Sequence, residues 1–198
     1  MPFRSAGRRT GRAAVPITRD AGRMRHYGRM NTAEVLTDAF GRVQEEVHTA
    51  VEGLSPEDLA FRPDSGANSI TWLIWHLTRV QDDHVADAAG RDQVWITDGW
   101  ADRFDLPLGE EETGYGHSAK QVASVSGVSA DQLTGYYDAV HEQTLAFVRD
   151  VDDAALDRVV DERWTPHVTL GVRLISVISD CLQHTGQAAY VRGLLERR

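Results

Sequence analysis

Apolar residues recur at steps of three and four along four separate stretches of the chain, each bounded by residues that start or stop helices. The first stretch sets Val35, Leu36, Ala39, Phe40, Val43, Val47, Ala50, Val51 and Leu54 on one face. That stripe predicts an amphipathic helix from about Thr32 to Gly53, capped by Asn31 or Thr32. Ser55-Pro-Glu-Asp58 places Pro at a first helical position and predicts a short turn, before Phe61 to Asn68 breaks the regularity. A second helix is predicted from about Ser69 to Ala89, with Ile70, Leu73, Ile74, Leu77 and Val80 inward and Gly90 placed to end it. Ser129-Ala-Asp-Gln132 is a capping box, opening a third helix that runs to about Val151 with Leu133, Tyr136, Tyr137, Val140 and Phe147 on its inner face. The fourth, from about Thr169 to Glu196, is apolar nearly all round, which predicts burial on most sides, either centrally or in a dimer contact. Residues 91–128 hold Trp95, Trp100, Phe104 and Tyr115 among Gly, Asp and Pro with no sustained period. A connection of that length is usually functional or ordered by its own packing, so short helical pieces and a pocket wall are expected there. With no strand pattern in view, the fold class is an all-α four-helix bundle with a long crossover between the second and third helices.

Composition narrows the setting. A chain of 198 residues suits one domain with a real core. It has no apolar run of the roughly 18 residues that a membrane-spanning helix needs, and no apolar segment follows its basic start as in a signal peptide. A lone cysteine, Cys181, forms no internal disulfide, which fits a reducing cytoplasm, and it is expected to be a small buried hydrophobe. Charge is split unevenly. Residues 1–30 carry eight Arg against Asp20, a surplus of seven positive charges, which leaves −16 on residues 31–198 of a chain with formal net charge −9. The Gly/Arg-rich start, without periodicity, is read as a disordered basic extension over residues 1–30, with Met30 or Met24 the expected initiator and residues 31–198 the domain. An acidic body of this kind argues against a nucleic-acid partner, since phosphate contacts need Lys and Arg.

The polar residues that interrupt the apolar helices point to chemistry. Asp180 and His184 lie four apart on the fourth helix and project from one face. His76 sits within Trp72-Leu-Ile-Trp-His-Leu77 on the second helix, among residues that want burial. A buried carboxylate costs several kcal/mol unless it meets a cation or a protonated partner. Two imidazoles and a carboxylate meeting in a bundle core would be satisfied together by a divalent metal, with coordination positions left open as in catalytic sites. Two plainer readings stand beside this one: an intrahelical Asp180–His184 hydrogen bond, and a satisfied core histidine at position 76. His84, rotated about 80° from His76, is expected on a different face. Asp83 is expected to be a solvated charge, and His26, His48, His117, His141 and His167 to be surface residues. Trp95 and Trp100 are candidate walls of a substrate pocket. The chain has no Gly-rich phosphate loop, Ser-centred nucleophile elbow or paired zinc-binding Cys motif.

Trp72-Leu-Ile-Trp-His-Leu77, the Trp-rich crossover and His184-Thr-Gly-Gln187 resemble the DinB-like (DinB/YfiT) superfamily, in particular its mycothiol-transferase-type branch, over about Met30 to Arg198. The resemblance implies a bundle, often dimeric, with a divalent metal (Zn, Ni, Fe or Mn) held by His76, Asp180 and His184. It also implies that Gln187 orients a ligand. The family's usual first residue of the last-helix pair is His or Glu, so Asp180 is a departure with a shorter reach. The function implied is a metal-dependent S-transferase, or related hydrolase, that uses a low-molecular-weight thiol such as mycothiol against an electrophilic small molecule. The alternative is a non-catalytic metal- or small-ligand-binding bundle in stress response.

Overall fold

The computed structural model describes residues 29–198, so the expectation of a disordered extension falls largely outside the described residues. Four long helices form the body: α1 (Thr32–Val51), α3 (Ile70–Ala89), α7 (Ala130–Val148) and α8 (Leu170–Leu195). Each begins at a side chain that accepts a hydrogen bond from one of the N–H groups a helix leaves without an internal partner. Asn31 and Ser129 do so within reciprocal capping boxes with Glu34 and Gln132, and Ser69 and Thr169 by a single bond. Each such cap contributes about 1 kcal/mol. Gly90, in a left-handed conformation, ends α3. Around the bundle α3 packs between α7 and α8, and α1 closes the ring between the same two, so that α1 and α3 lie diagonally opposite. Phe40, Val43 and Val47 from α1, Leu73 and Leu77 from α3, Tyr136 and Tyr137 from α7, and Leu174 and Val177 from α8 fill the centre.

The turn predicted at Ser55 is α2 (Pro56–Leu59), and the crossover carries three short helices, α4 (Val94–Thr97), α5 (Trp100–Phe104) and α6 (Ala119–Ser124). A buried charge on α3 docks this segment. Arg79 is fully buried and donates to the Glu110 and Glu112 carbonyls and to Gln93 Oε1. One turn on, Asp82 accepts from the Val94 and Trp95 backbone N–H groups and from the Tyr136 hydroxyl. The Arg79 guanidinium also lies 4.9 Å from the Trp95 ring centroid. Among the described residues no helix is long and apolar enough to cross a membrane.

Two features depart from the sequence reading. A two-stranded antiparallel hairpin, β1 (Val159–Asp161) with β2 (Val168–Thr169), joins α7 to α8 where the sequence shows no strand pattern. Strands of three and two residues are too short to alternate visibly. They are anchored by Asp161, which is paired with Arg163 and with Arg173 of α8 at 2.9 and 2.8 Å. The fourth helix is also not buried centrally: Val172, Ile175, Leu182 and Tyr190 remain exposed along its outer face within the chain, which leaves the expected dimer contact open.

Hydrogen bonds from the Arg163 side chain and backbone, with Arg173 behind them, hold the Asp161 carboxyl well below the usual carboxylate range. The unfolded chain therefore binds the proton first as pH falls. The stabilisation is fully present above an ordinary Asp pKa of about 4 and is lost below it. Asp161→Asn should lower the denaturation midpoint at neutral pH, and the two proteins should converge as the pH is taken below about 4. Parallel curves across that range would show that this ion pair does not contribute.

Candidate metal centre

The seam between α3 and α8 brings His76, Asp180 and His184 together, each offering a ligand atom within 4.8 Å of the others. The two imidazoles meet edge to face, with centroids 4.8 Å apart. His184 Nε2 lies 3.5 Å from Asp180 Oδ1, at the outer limit of a hydrogen bond, and Asp180 Oδ2 is buried with no partner. The intrahelical pair thus leaves half of the carboxylate unsatisfied, and such a group is costly inside a protein.

Hydrogen bonding fixes which nitrogens remain available. His76 Nδ1 faces the Thr113 carbonyl at 2.5 Å, and His184 Nδ1 faces Gln187 Oε1 at 3.1 Å. Both oxygens accept, so each Nδ1 carries its proton; His76 Nε2 then keeps a free lone pair, whereas His184 Nε2 faces the Asp180 carboxylate. Burial lowers the His76 pKa, with the Thr113 carbonyl opposing it, and this favours the neutral ring. Burial works the same way on His184, but the Asp180 carboxylate and the Gln187 side-chain carbonyl together outweigh it and raise that pKa, so a metal at its Nε2 would displace a proton. The donor set therefore fits a divalent ion of the borderline class that takes nitrogen and carboxylate oxygen. Bonds of about 2.1 Å allow two ligand atoms on one ion to be at most about 4.2 Å apart, so the widest separation must close slightly.

Other residues fall differently from the sequence reading. His117, expected at the surface, has a side chain only 3% exposed and packs beside the cluster. Its Nδ1 accepts from the Trp72 indole at 3.2 Å and its Nε2 meets Glu112 at 2.8 Å, so both nitrogens are engaged. His141 is also buried, on α7 beside Tyr137, because its ring extends that aromatic face. His48 and His167 are exposed as expected, and His26 lies outside the described residues. His84, expected on a different face from His76, also faces α8, where it pairs with Arg173. Asp83 is part-exposed and accepts from Gln93.

Trp95 lines a cavity of about 210 Å³ under the crossover, and its ring neighbours are Trp75, Phe104 and Tyr136. Trp100 packs against Phe104, Tyr136 and the Gly135 backbone. The indole beside the cluster is instead Trp72, stacked on His76 at 4.6 Å and edge-on to His184 at 6.1 Å. Its four-residue spacing from His76, one helical turn, is the signal in the sequence that points to it. Cys181 is fully buried, and burial pushes its thiol pKa far up, as befits a packing residue.

A four-helix bundle with a long crossover between its second and third long helices is a DinB-like arrangement. The sequence profile of the mycothiol-S-transferase family matches residues 35–197, and the chain belongs to that family. Among solved structures it is similar to a conserved protein from Enterococcus faecalis, with 28% identity and a TM-score of 0.79 over 85% of this chain and 99% of the other. No functionally curated protein matches.

Proposed function

We propose that the protein is a metal-dependent thiol S-transferase in which His76, Asp180 and His184 hold the ion. The family is metal-dependent in general and its description implies a thiol substrate. The observation that carries the ligand assignment is the buried, unpartnered Oδ2 of Asp180, whose carboxylate lies within metal-ligand reach of the His76 and His184 imidazoles. When bound, the ion supplies positive charge that lowers the pKa of a nearby thiol toward neutrality.

The residues of the chain provide orientation. Gln187 turns His184, and the Thr113 carbonyl turns His76. Trp72 covers one face of the His76 ring. His117 has no nitrogen left with which to take the thiol proton, so that proton leaves to water. The sulfur then forms its bond to the electrophilic carbon of a small molecule, whose leaving group departs with the electron pair. A low-molecular-weight thiol such as mycothiol is the cosubstrate this reading assigns. Zinc, nickel, iron and manganese are all compatible with the donor set.

Purified protein should contain near-stoichiometric metal, lost in His76→Ala and Asp180→Ala, and should accelerate transfer of mycothiol to a bimane electrophile. In both variants transfer should fall to background while helical circular dichroism is retained. Metal bound without any transfer across a panel of electrophiles would favour a non-catalytic metal-binding bundle. A wild type that takes up no metal would end the ligand assignment.

The homodimer assignment rests on the outer face of α8. The exposed positions at 172, 175, 176, 179, 182, 183, 186, 187, 189 and 190 carry no charge, although the body as a whole is strongly acidic. Val172, Ile175, Ser179, Leu182, Gly186 and Ala189 follow alternating three- and four-residue steps, the spacing of a helix-pairing seam. Large residues lie toward one end and small ones toward the other, so an antiparallel copy would set Ile175 opposite Gly186 and Val172 opposite Ala189. Sedimentation should report a dimer that becomes a folded monomer in Ile175→Glu/Leu182→Glu. A monomeric wild type at micromolar concentration would remove this assignment.

A further inference from the structure

The crossover contributes more than a wall to the cluster. Between Gly109 and His117 the chain leaves its short helices and passes directly over His76. Arg79, one turn from His76 on α3, grips this strap from below: Nη2 donates to the Glu110 carbonyl at 3.0 Å and Nε to the Glu112 carbonyl at 3.2 Å. The next carbonyl, that of Thr113, receives His76 Nδ1. On the far side the strap is tied by Glu112, which accepts from the Gly109 N–H, His117 and Gln121.

Gly114 is the residue that permits this approach. A Cβ at position 114 would stand 2.7 Å from His76 Nδ1, 3.1 Å from Trp75 and 3.2 Å from Trp72, and the backbone there has a φ of +95°. Both the space and the conformation exclude a side chain. Two residues on, Gly116 has a similar φ of +73°, but a Cβ there would meet nothing within 4 Å. The same loop therefore contains two left-handed glycines, and only one of them touches the imidazole.

The geometry points to a strap–carbonyl device: Arg79 and Gly114 seat the Thr113 carbonyl on His76 Nδ1 and thereby fix the tautomer and ring angle that present Nε2 to the ion. These are positioning residues that act through His76, and the inference rests on the metal-centre reading above. A carbonyl only accepts, so it selects the Nδ1–H tautomer outright, and a main-chain acceptor whose neighbouring carbonyls are held by a buried guanidinium cannot swing away as a side chain can.

The test compares wild type, Gly114→Ala and Gly116→Ala by two readouts. One is the pattern of His76 imidazole nitrogen shifts by NMR in metal-free protein, assigned by its loss in His76→Gln. The other is zinc affinity by competition with a chelator. Wild type should show His76 protonated at Nδ1. Gly114→Ala should lose that signature and bind zinc about 10- to 100-fold more weakly. Gly116→Ala, which carries the backbone strain without the clash, should keep both.

Equal weakening in the two variants would overturn the inference, because general loop strain would then explain the loss. An Nε2-protonated His76 in wild type would overturn it without recourse to any variant. Failure of wild type to bind zinc would instead defeat the metal-centre reading, while the tautomer comparison would still decide whether the strap orients His76.

Discussion

Arg79 is a full positive charge with no access to water, and the rest of the architecture follows from how it is satisfied. Removing one partner from a buried ion pair typically costs about 3–5 kcal/mol, so a guanidinium in this position must be surrounded by acceptors. Asp82 supplies charge from one turn along α3, and the crossover supplies the Glu110 and Glu112 carbonyls and Gln93 Oε1. Asp82 in turn takes the N–H groups that begin α4 and the hydroxyl of Tyr136 on α7. One buried pair thus ties the start of the crossover, its middle and the facing helix to α3. It does so a single turn from His76.

That placement links stability to chemistry. The metal-ligand candidates lie on two rigid helices, while the group that orients one of them lies on a loop. A loop carbonyl could not hold a ring angle alone, but here it belongs to a segment pinned on both sides of Thr113. Trp72 and His117 complete the packing, and their hydrogen bond consumes the nitrogen that would otherwise make His117 a base. The candidate centre thus gathers its polar atoms into the ion-facing positions and leaves few others unengaged around it.

The helices are legible in the sequence because periodicity and caps are local properties. Asn31, Ser69, Ser129 and Thr169 all begin helices where their side chains suggest they should. His76, Asp180 and His184 stand out as polar residues within apolar helical stretches, and the structure brings all three to one seam. What cannot be read this way depends on partners distant in sequence. His117 looks like a surface residue until the Trp72 indole is placed against it. Asp161 lies in a hairpin too short to alternate, and its burial depends on Arg173 of α8. Trp95 and Trp100 stand out in the crossover, but that their ring contacts hold it against α7, with Trp95 also lining a cavity, shows only in the fold. The role of Thr113 is invisible because it uses a backbone carbonyl, which every residue has.

Whether these three side chains hold an ion that a thiol can reach is best decided by X-ray absorption at the metal edge of the zinc-loaded protein, before and after adding a low-molecular-weight thiol. The expected spectrum shows a nitrogen and oxygen shell with the outer scattering of two imidazoles and no sulfur, then the gain of one sulfur at about 2.3 Å when thiol is present. A spectrum without imidazole scattering, or one that the thiol leaves unchanged, would contradict that assignment.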